Sequence, residues 1–181
     1  MKFATIAVIL TTSLFLSACG KKQEISVSEQ EITTSVNEVK SSENQVLIDK
    51  TNRISLHVPD LFILDPEDEE NSSLVLSAHN QFNDLVLSVR HFGKLKVEAK
   101  QYFSQLNKMI KEQKDYENAR VGVATENRMN YYFIYSEDDE KIKESCVAII
   151  ADEDIYSVCA NSSKLSFDEM STYLKDIRIV Q

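Results

Sequence analysis

Apolar and polar residues alternate along several short segments of this chain, the pattern of β-strands whose two faces meet different surroundings. Ile54, Leu56 and Val58 occupy alternate positions before Pro59, which predicts a half-buried strand. Residues 146–151 are apolar at every position, so they predict a central strand that is covered on both faces. The complete set of predicted strands is 46–48, 54–58, 74–78, 85–90, 119–125, 131–136, 142–151, 155–160 and a short last strand at 177–180.

Two segments change to the period of about 3.6 residues that marks an amphipathic helix. The stripe over residues 97–113 consists of Ala99, Tyr102, Phe103, Leu106, Met109 and Ile110. A second helix is predicted to begin at Ser166, because Ser166 and Glu169 form an S-x-x-E capping box. The order of elements predicts an α+β fold: a mostly antiparallel sheet of about six to seven strands with two main helices packed on it.

The N-terminal residues have the pattern of a bacterial lipoprotein signal. Lys2 precedes an apolar run over 3–16, which is shorter than the about 20 residues that cross a bilayer core. The run ends in Leu16-Ser17-Ala18-Cys19, which resembles a lipobox cleaved between Ala18 and Cys19. We therefore predict that Cys19 carries the lipid; the alternative is an ordinary signal peptide that ends beside an unmodified cysteine.

These features divide the chain into three parts: a signal peptide over 1–18, the lipidated cysteine and a flexible polar tether over 19–45, and a single domain over 46–181. The tether lacks aromatic residues and large apolar side chains, so it cannot offset the entropy of its own ordering. The predicted location is extracytoplasmic, with the membrane bound through the anchor at Cys19. The outer membrane is favoured over the inner one, because Gly20 rather than aspartate follows the cysteine.

Cys146 and Cys159 are the other two cysteines, and a disulfide is the default in an oxidising compartment. If a hairpin connection is centred on Asp152 and Glu153, the two cysteines lie opposite each other on neighbouring strands. We predict a structural disulfide between them. Two buried free thiols and a redox-catalytic pair are the alternatives, and the second lacks a C-x-x-C motif.

Composition and motifs exclude several classes of function. The net charge is -9, with 29 acidic against 20 basic residues, which argues against a nucleic-acid partner. With three glycines and no G-x-G, the chain has neither a P-loop nor a Rossmann fingerprint. H-E-x-x-H and G-x-S-x-G are absent as well, so we predict no catalytic residue, no cofactor and no metal, and the protein is not expected to be an enzyme.

Three weaker candidates for chemistry remain. The histidines His57, His79 and His91 lack the spacing of metal ligands, so surface imidazoles are favoured. Acidic clusters at 65–70, 137–140 and 152–154 are interpreted as solvated turns that would bind divalent cations weakly only if they converged at one end of the sheet. The aromatic strand at 131–135 is either a ligand platform or core; core is favoured, with Tyr131 or Tyr132 as the most exposed member.

The order of these elements resembles the DcrB family of small bacterial envelope lipoproteins, which is related in fold to the PsbP-like sandwich. The resemblance rests on Ile54-Ser55-Leu56-His57-Val58-Pro59, the helix at 97–113, the strand at 131–136, the Cys146 hairpin and the closing Ile177-Arg178-Ile179. The chain departs from the family where Asp60-Leu61-Phe62 replaces the usual Gly-Phe. The resemblance implies an envelope role connected with membrane integrity and phage uptake, without enzymatic activity, and it assigns no functional residues.

Together these features predict a membrane-anchored periplasmic lipoprotein that acts as a non-enzymatic binding or envelope-maintenance module. Its expected partner is a protein or another envelope component. The alternative is a periplasmic immunity or inhibitor lipoprotein, whose acidic loops would block the basic active site of a toxin or hydrolase.

Overall fold

The structure is a computed structural model and describes residues 44–66 and 71–180. The predicted signal peptide, the lipidation site Cys19 and nearly all of the predicted tether lie outside the described residues, as do the four glutamate and aspartate residues at 67–70. In the described ranges no helix is long and apolar enough to cross a membrane.

The described chain forms strands and two helices in an order close to the predicted one. Their bounds are β1 Gln45–Ile48, β2 Ile54–Val58, β3 Phe62–Leu64, β4 Leu74–Asn80, β5 Val86–Lys94, α1 Ala99–Glu112, β6 Glu117–Val121, β7 Arg128–Glu137, β8 Glu140–Ala151, β9 Asp154–Ser162, α2 Phe167–Tyr173 and β10 Ile177–Ile179. The α+β prediction is confirmed. Strand β3 was not predicted, because three residues are too few to display an alternating pattern.

The strands form two antiparallel sheets rather than one. The large sheet has the order β3-β4-β5-β9-β8-β7-β6, and the small sheet has the order β1-β2-β10. The small sheet exists because β10 returns from the C-terminal helix to pair with β2. The large sheet therefore has a strand count that agrees with the prediction, and the small sheet is a second layer that was not predicted.

Strand β2 is buried more completely than a half-buried strand, although Val46 and Ile48 beside it on the outer face are exposed. Ser55, on the face expected to be polar, is only 5% exposed. It is flanked in register by Ile48 of β1 and Arg178 of β10, which limit its contact with solvent. A central strand of a small sheet is thus buried more completely than its alternating sequence indicates.

The hairpin between β8 and β9 turns where the sequence predicts it. Asp152 and Glu153 both have positive φ, 47° and 72°, as a two-residue hairpin turn matching the twist of the strands requires. Asp138 and Asp139 do the same in the turn between β7 and β8. The first of these turns fixes the register in which Cys146 faces Cys159.

The large sheet has two unlike faces, which we call the closed face and the open face. The closed face carries Leu87, Val89, Val147, Ile149 and Val158, whose side chains form one core with the small sheet and α2. Helix α2 begins with the predicted capping box of Ser166 and Glu169 and buries Met170 in that core.

The open face carries the alternate residues of the same strands and packs against α1. There, Phe103, Leu106 and Ile110 of the helix contact Met129 and Ala148 of the sheet. This second core is much smaller than the first one. Because this core is small, it does not cover the whole predicted stripe of α1. Met109 belongs to the stripe and is 62% exposed.

Candidate functional site

Helix α1 covers the part of the open face formed by β6, β7 and β8 and leaves a groove on the side of β5 and β9. The groove consists of two adjoining cavities of about 420 Å³ each. Both cavities are lined by Phe92, Leu106, Met109, Tyr131 and Ser157. Phe92 is 56% exposed and Met109 is 62% exposed, so the groove has an apolar rim that is open to solvent.

Alternation along β5 and β9 explains why the floor of this groove is polar. Ser88 and Arg90 alternate with the closed-face residues Leu87 and Val89 in β5. Likewise Ser157 and Cys159 alternate with closed-face residues in β9. Small and charged side chains therefore stand on the open face where the closed face has aliphatic ones.

Aromatic rings form the wall of the groove nearest to β7. Tyr116 stacks on Phe133 with ring centres 3.8 Å apart, and Phe133 lies 6.2 Å from Tyr131 and 6.1 Å from Tyr135. Tyr132 points the other way, towards Phe167 of α2 at 4.4 Å. The predicted aromatic strand thus divides its rings between the groove and the opposite face of the sheet.

Neither tyrosine that was expected to be most exposed is a free surface residue. Tyr131 and Tyr132 are both half-buried. The Tyr131 hydroxyl makes a hydrogen bond with the Ser157 hydroxyl, with an oxygen–oxygen distance of 2.9 Å. Tyr131 is therefore held in place as part of the groove.

Glu144 lies in the groove, opposite Phe133 in the register of β7 and β8. Burial raises the pKa of its carboxyl group, and the positive charge of Arg90 opposes part of that change. Burial also raises the pKa of Tyr135 to about 12, and the negative charge of Glu144 adds to this effect. The pKa of Tyr116 is raised by the same two causes.

Arg90 and Glu144 face the same groove without forming an ion pair. Both line one cavity, but no nitrogen–oxygen distance between them is within 4 Å. Among the described residues, no N–H or O–H group donates to the Glu144 carboxylate, and the Arg90 guanidinium donates to no acceptor. The groove therefore presents one positive and one negative group whose hydrogen-bonding capacity is unused by this part of the chain.

Cys146 and Cys159 lie on the floor between these two charges. Their sulfur atoms are bonded, their Cα atoms are 4.1 Å apart, and the two residues pair directly across β8 and β9. Ser157 Oγ lies 3.3 Å from Cys159 Sγ, and Glu144 Oε1 lies 3.5 Å from Cys146 Sγ. This carboxylate with two sulfurs does not form a metal site while the sulfurs are bonded to each other, because the thiolate is the form that binds a metal.

The three histidines lie elsewhere and do not come together. His79 Nδ1 is 2.6 Å from Asp65 Oδ1, and Ser77 donates to the other oxygen of the same carboxylate at 2.6 Å. Because Asp65 lies between Ser77 and His79, the imidazole cannot act as a base towards that serine. His91 stacks on Tyr156 with ring centres 4.8 Å apart, whereas His57 is half-buried in β2.

The acidic clusters that the structure describes do not converge. The turn at 137–140 and the turn at 152–154 are at opposite ends of β8. Asp152 is paired with Arg53, and Asp154 Oδ1 lies 3.1 Å from His91 Nε2. These two turns therefore do not meet the condition of convergence on which weak cation binding depended.

Sequence reasoning missed the site itself, although it identified several of its parts. Arg90 and Glu144 were not singled out, because the strand order that brings β5, β9 and β8 side by side is not readable from the sequence. A signal was present in the alternation of β5 and β9, where serine, arginine and cysteine occupy the face away from the aliphatic residues. Such a face is only partly covered in the folded protein.

Comparison with known proteins identifies the fold. No protein-family model and no curated protein matches the chain. The solution structure of the cyanobacterial PsbP protein CyanoP from Synechocystis sp. PCC 6803 superimposes with a TM-score of 0.55 at 11% identity, covering 81% of this chain and 98% of CyanoP. The crystal structure of LpqN, involved in cell envelope biogenesis of Mycobacterium tuberculosis, gives a TM-score of 0.44 at 12% identity, covering 77% of this chain and 91% of LpqN.

The likeness to CyanoP confirms the PsbP-like fold that the sequence resemblance implied. At 11% identity it extends to the fold alone. The comparisons do not confirm membership in the DcrB family.

Proposed function

We propose that this protein is a membrane-anchored extracytoplasmic lipoprotein whose domain binds an envelope component in the groove of the open face, without catalysing a reaction. The observation that carries the proposal is the groove itself, with its exposed apolar rim and with Arg90 and Glu144, which form no ion pair with each other. A cleft with apolar walls and a few convergent polar groups is the usual form of a ligand site.

Two features support the extracytoplasmic location. The first is the Leu16-Ser17-Ala18-Cys19 sequence at the end of a short apolar run. The second is the bond between Cys146 and Cys159, because a structural disulfide is formed and kept in an oxidising compartment. The anchor, and the preference for the outer over the inner membrane, remain part of the proposal.

The chemistry of the groove favours binding over catalysis. Its charged groups offer hydrogen bonds and electrostatic attraction to a ligand, whereas its two sulfurs are bonded to each other and are not nucleophiles. The Ser157 hydroxyl forms a hydrogen bond with the Tyr131 hydroxyl rather than with a base. These residues can orient a bound molecule and exclude water from it.

The anchor is tested by labelling cells with a palmitate analogue and measuring the mass of the N-terminal peptide. The wild-type protein should take up the label at Cys19, and the Cys19→Ser variant should lose it. A double Cys146→Ser and Cys159→Ser variant is the matched control, because it removes two cysteines and should keep the label. Retention of the label by Cys19→Ser would contradict the anchor.

The groove is tested by placing a photocrosslinking amino acid at Met109 in whole envelopes. Met109 lies on the groove rim, whereas Val46 of β1 is similarly exposed on the small sheet and serves as the control position. A discrete adduct from position 109 that is absent from position 46 is the expected result. Equal adduct patterns, or no adduct from position 109, would argue against a partner in the groove.

A second candidate function keeps a specific observation in its favour. All four acidic residues of the turn at 137–140 are exposed at the tip of the β7–β8 hairpin. Such a tip suits an immunity or inhibitor lipoprotein that inserts carboxylates into a basic active site. Rescue of growth against a toxin encoded next to this protein, abolished by neutralising Glu137, Asp138, Asp139 and Glu140 together, would favour this function over the first.

A further inference from the structure

We propose that the groove binds a zwitterion with an apolar body, namely an amino acid or dipeptide with free ends, with its carboxylate on Arg90 and its ammonium group on Glu144. The inference rests on the proposed function, because it takes the open face as the binding surface. It adds the chemical class of the ligand and the residue that recognises each end of it.

The strand register places the two charges on opposite sides of the disulfide. Arg90 lies in register with Ser157 of β9, and Glu144 lies in register with Asn161 farther along the same strand. Cys159 lies between Ser157 and Asn161 on that face, paired with Cys146. A ligand resting on the disulfide would therefore have a positive group at one end and a negative group at the other.

The unused hydrogen-bonding capacity of both groups selects a ligand with both charges. A neutral apolar molecule would remove Arg90 and Glu144 from water and give them no partner, which costs free energy. An anion would satisfy Arg90 and meet the like charge of Glu144, and a cation would meet the like charge of Arg90. Only a molecule with separate positive and negative ends forms a charge-assisted hydrogen bond at each site.

The apolar rim selects the body of the ligand. Phe92, Leu106 and Met109 line both cavities, and each cavity has about 420 Å³. A volume of this order suits a small ligand with one or two aliphatic or aromatic side chains. Because the methionine side chain adapts to different shapes, we expect the groove to accept several apolar side chains rather than a single one.

The test is calorimetric titration of the wild-type protein, extracted in a mild detergent, with leucine and with leucyl-leucine. The probes for each end are leucinamide, which lacks the carboxylate, and N-acetyl-leucine, which lacks the ammonium group. We expect at least one zwitterion to bind and each blocked analogue to bind about tenfold more weakly, the effect of one charge-assisted contact.

Two variants assign the ends of the ligand. In Arg90→Gln, leucine and leucinamide should bind with equal affinity, and in Glu144→Gln, leucine and N-acetyl-leucine should do so. Arg120→Gln in β6 and Glu140→Gln in the β7–β8 turn remove exposed charges away from the groove and should leave all affinities unchanged within about twofold.

The outcomes separate this inference from the proposed function. Equal affinity of the wild-type protein for blocked and free ligands, or no binding of either zwitterion, would overturn the inference. If the protein bound only the doubly blocked N-acetyl-leucinamide, and Met109→Lys abolished that binding, the inference would be overturned. A ligand site in the groove would still be supported. If none of these ligands bound and position 109 gave no crosslink, both the inference and the proposed function would be overturned.

Discussion

Strands β5, β8 and β9 present aliphatic side chains to the closed face of the large sheet and mostly polar, charged or sulfur-containing side chains to the open face. The closed face is sealed by the small sheet and α2, and its core residue Leu87 is 0% exposed. Within residues 44–66 and 71–180 the open face is covered by α1 alone, and Met109 and Arg90 stay in contact with solvent. One face therefore provides most of the burial that stabilises the fold, and the other has a groove that is open to solvent.

The largest expected effect comes from shortening a side chain on the closed face. Leu87→Ala should lower the free energy of unfolding by about 3 kcal/mol, because a fully buried leucine leaves a cavity that the neighbours cannot fill. Met109→Ala on the open face should change it by less than about 0.5 kcal/mol. Urea unfolding of both variants measures the contrast. Equal losses of unfolding free energy would show that Met109 is packed in a core as Leu87 is.

The disulfide should contribute almost as much, and it does so on the open face. A double Cys146→Ala and Cys159→Ala variant should lose about 3 kcal/mol, because the bond closes a loop of about 14 residues and so restricts the unfolded chain. The neighbouring Ser88 and Ser157 bury little apolar surface, so their packing does not compensate for the loss of the bond. Unfolding curves with and without reductant measure this loss, and an unchanged midpoint would contradict it.

Asp84 shows how a carboxylate stabilises the closed side. Burial alone would raise its pKa, but hydrogen bonds from Ser162, Ser163 and Lys164 bring the pKa to about 2. These bonds fix the segment that leads from β9 into α2. Asp84→Asn should therefore lower the free energy of unfolding at neutral pH by about 2 kcal/mol.

The pH dependence of this difference follows from the lowered pKa. The ionised form of Asp84 is favoured in the folded state, so its contribution is complete above the ordinary aspartate pKa near 3.8. It is lost as the pH falls from there through about 2. Unfolding free energies of wild type and Asp84→Asn measured across this range should approach each other, and a constant difference would contradict the assignment.

The pKa of Glu144 is shifted in the opposite direction, and its substitution has the smallest expected effect on stability. Burial raises its pKa and no N–H or O–H group among the described residues donates to it, so the folded protein binds this proton more tightly than the unfolded chain does. Its contribution is present below the ordinary glutamate pKa and is lost as the pH rises through the folded value. Glu144→Gln should therefore gain stability relative to wild type on going from acid to neutral pH, whereas Glu140→Gln in the exposed turn should not.

The sequence predicts features set by neighbours along the chain better than features set by distant partners, for physical reasons. The run at 146–151, the capping box of Ser166 and the turn at Asp152 depend on neighbours along the chain, and these local patterns indicated the right elements. The pairing of Cys146 with Cys159 followed from that turn. Strand β3 and the joining of β2 with β10 depend on distant partners and left no local pattern.

The open face was predicted only in part. The stripe of α1 was found, but the sequence could not show that Met109 would lie outside the contact with the sheet. Arg90 and Glu144 come together because β9 lies between β5 and β8, and this order is a tertiary property. The sequence pattern that accompanies this groove is an apolar helical stripe together with strands that are polar at alternate positions.

Methionine methyl groups offer the most direct test that the open face binds and the closed face holds the fold. Beyond Met1 the chain has three methionines: Met109 on the groove rim, Met129 beneath α1 and Met170 in the closed core. In a protein with labelled methionine methyls, titration with leucyl-leucine should shift the Met109 signal saturably and leave the Met170 signal in place. No shift at Met109, or equal shifts at Met109 and Met170, would contradict the account.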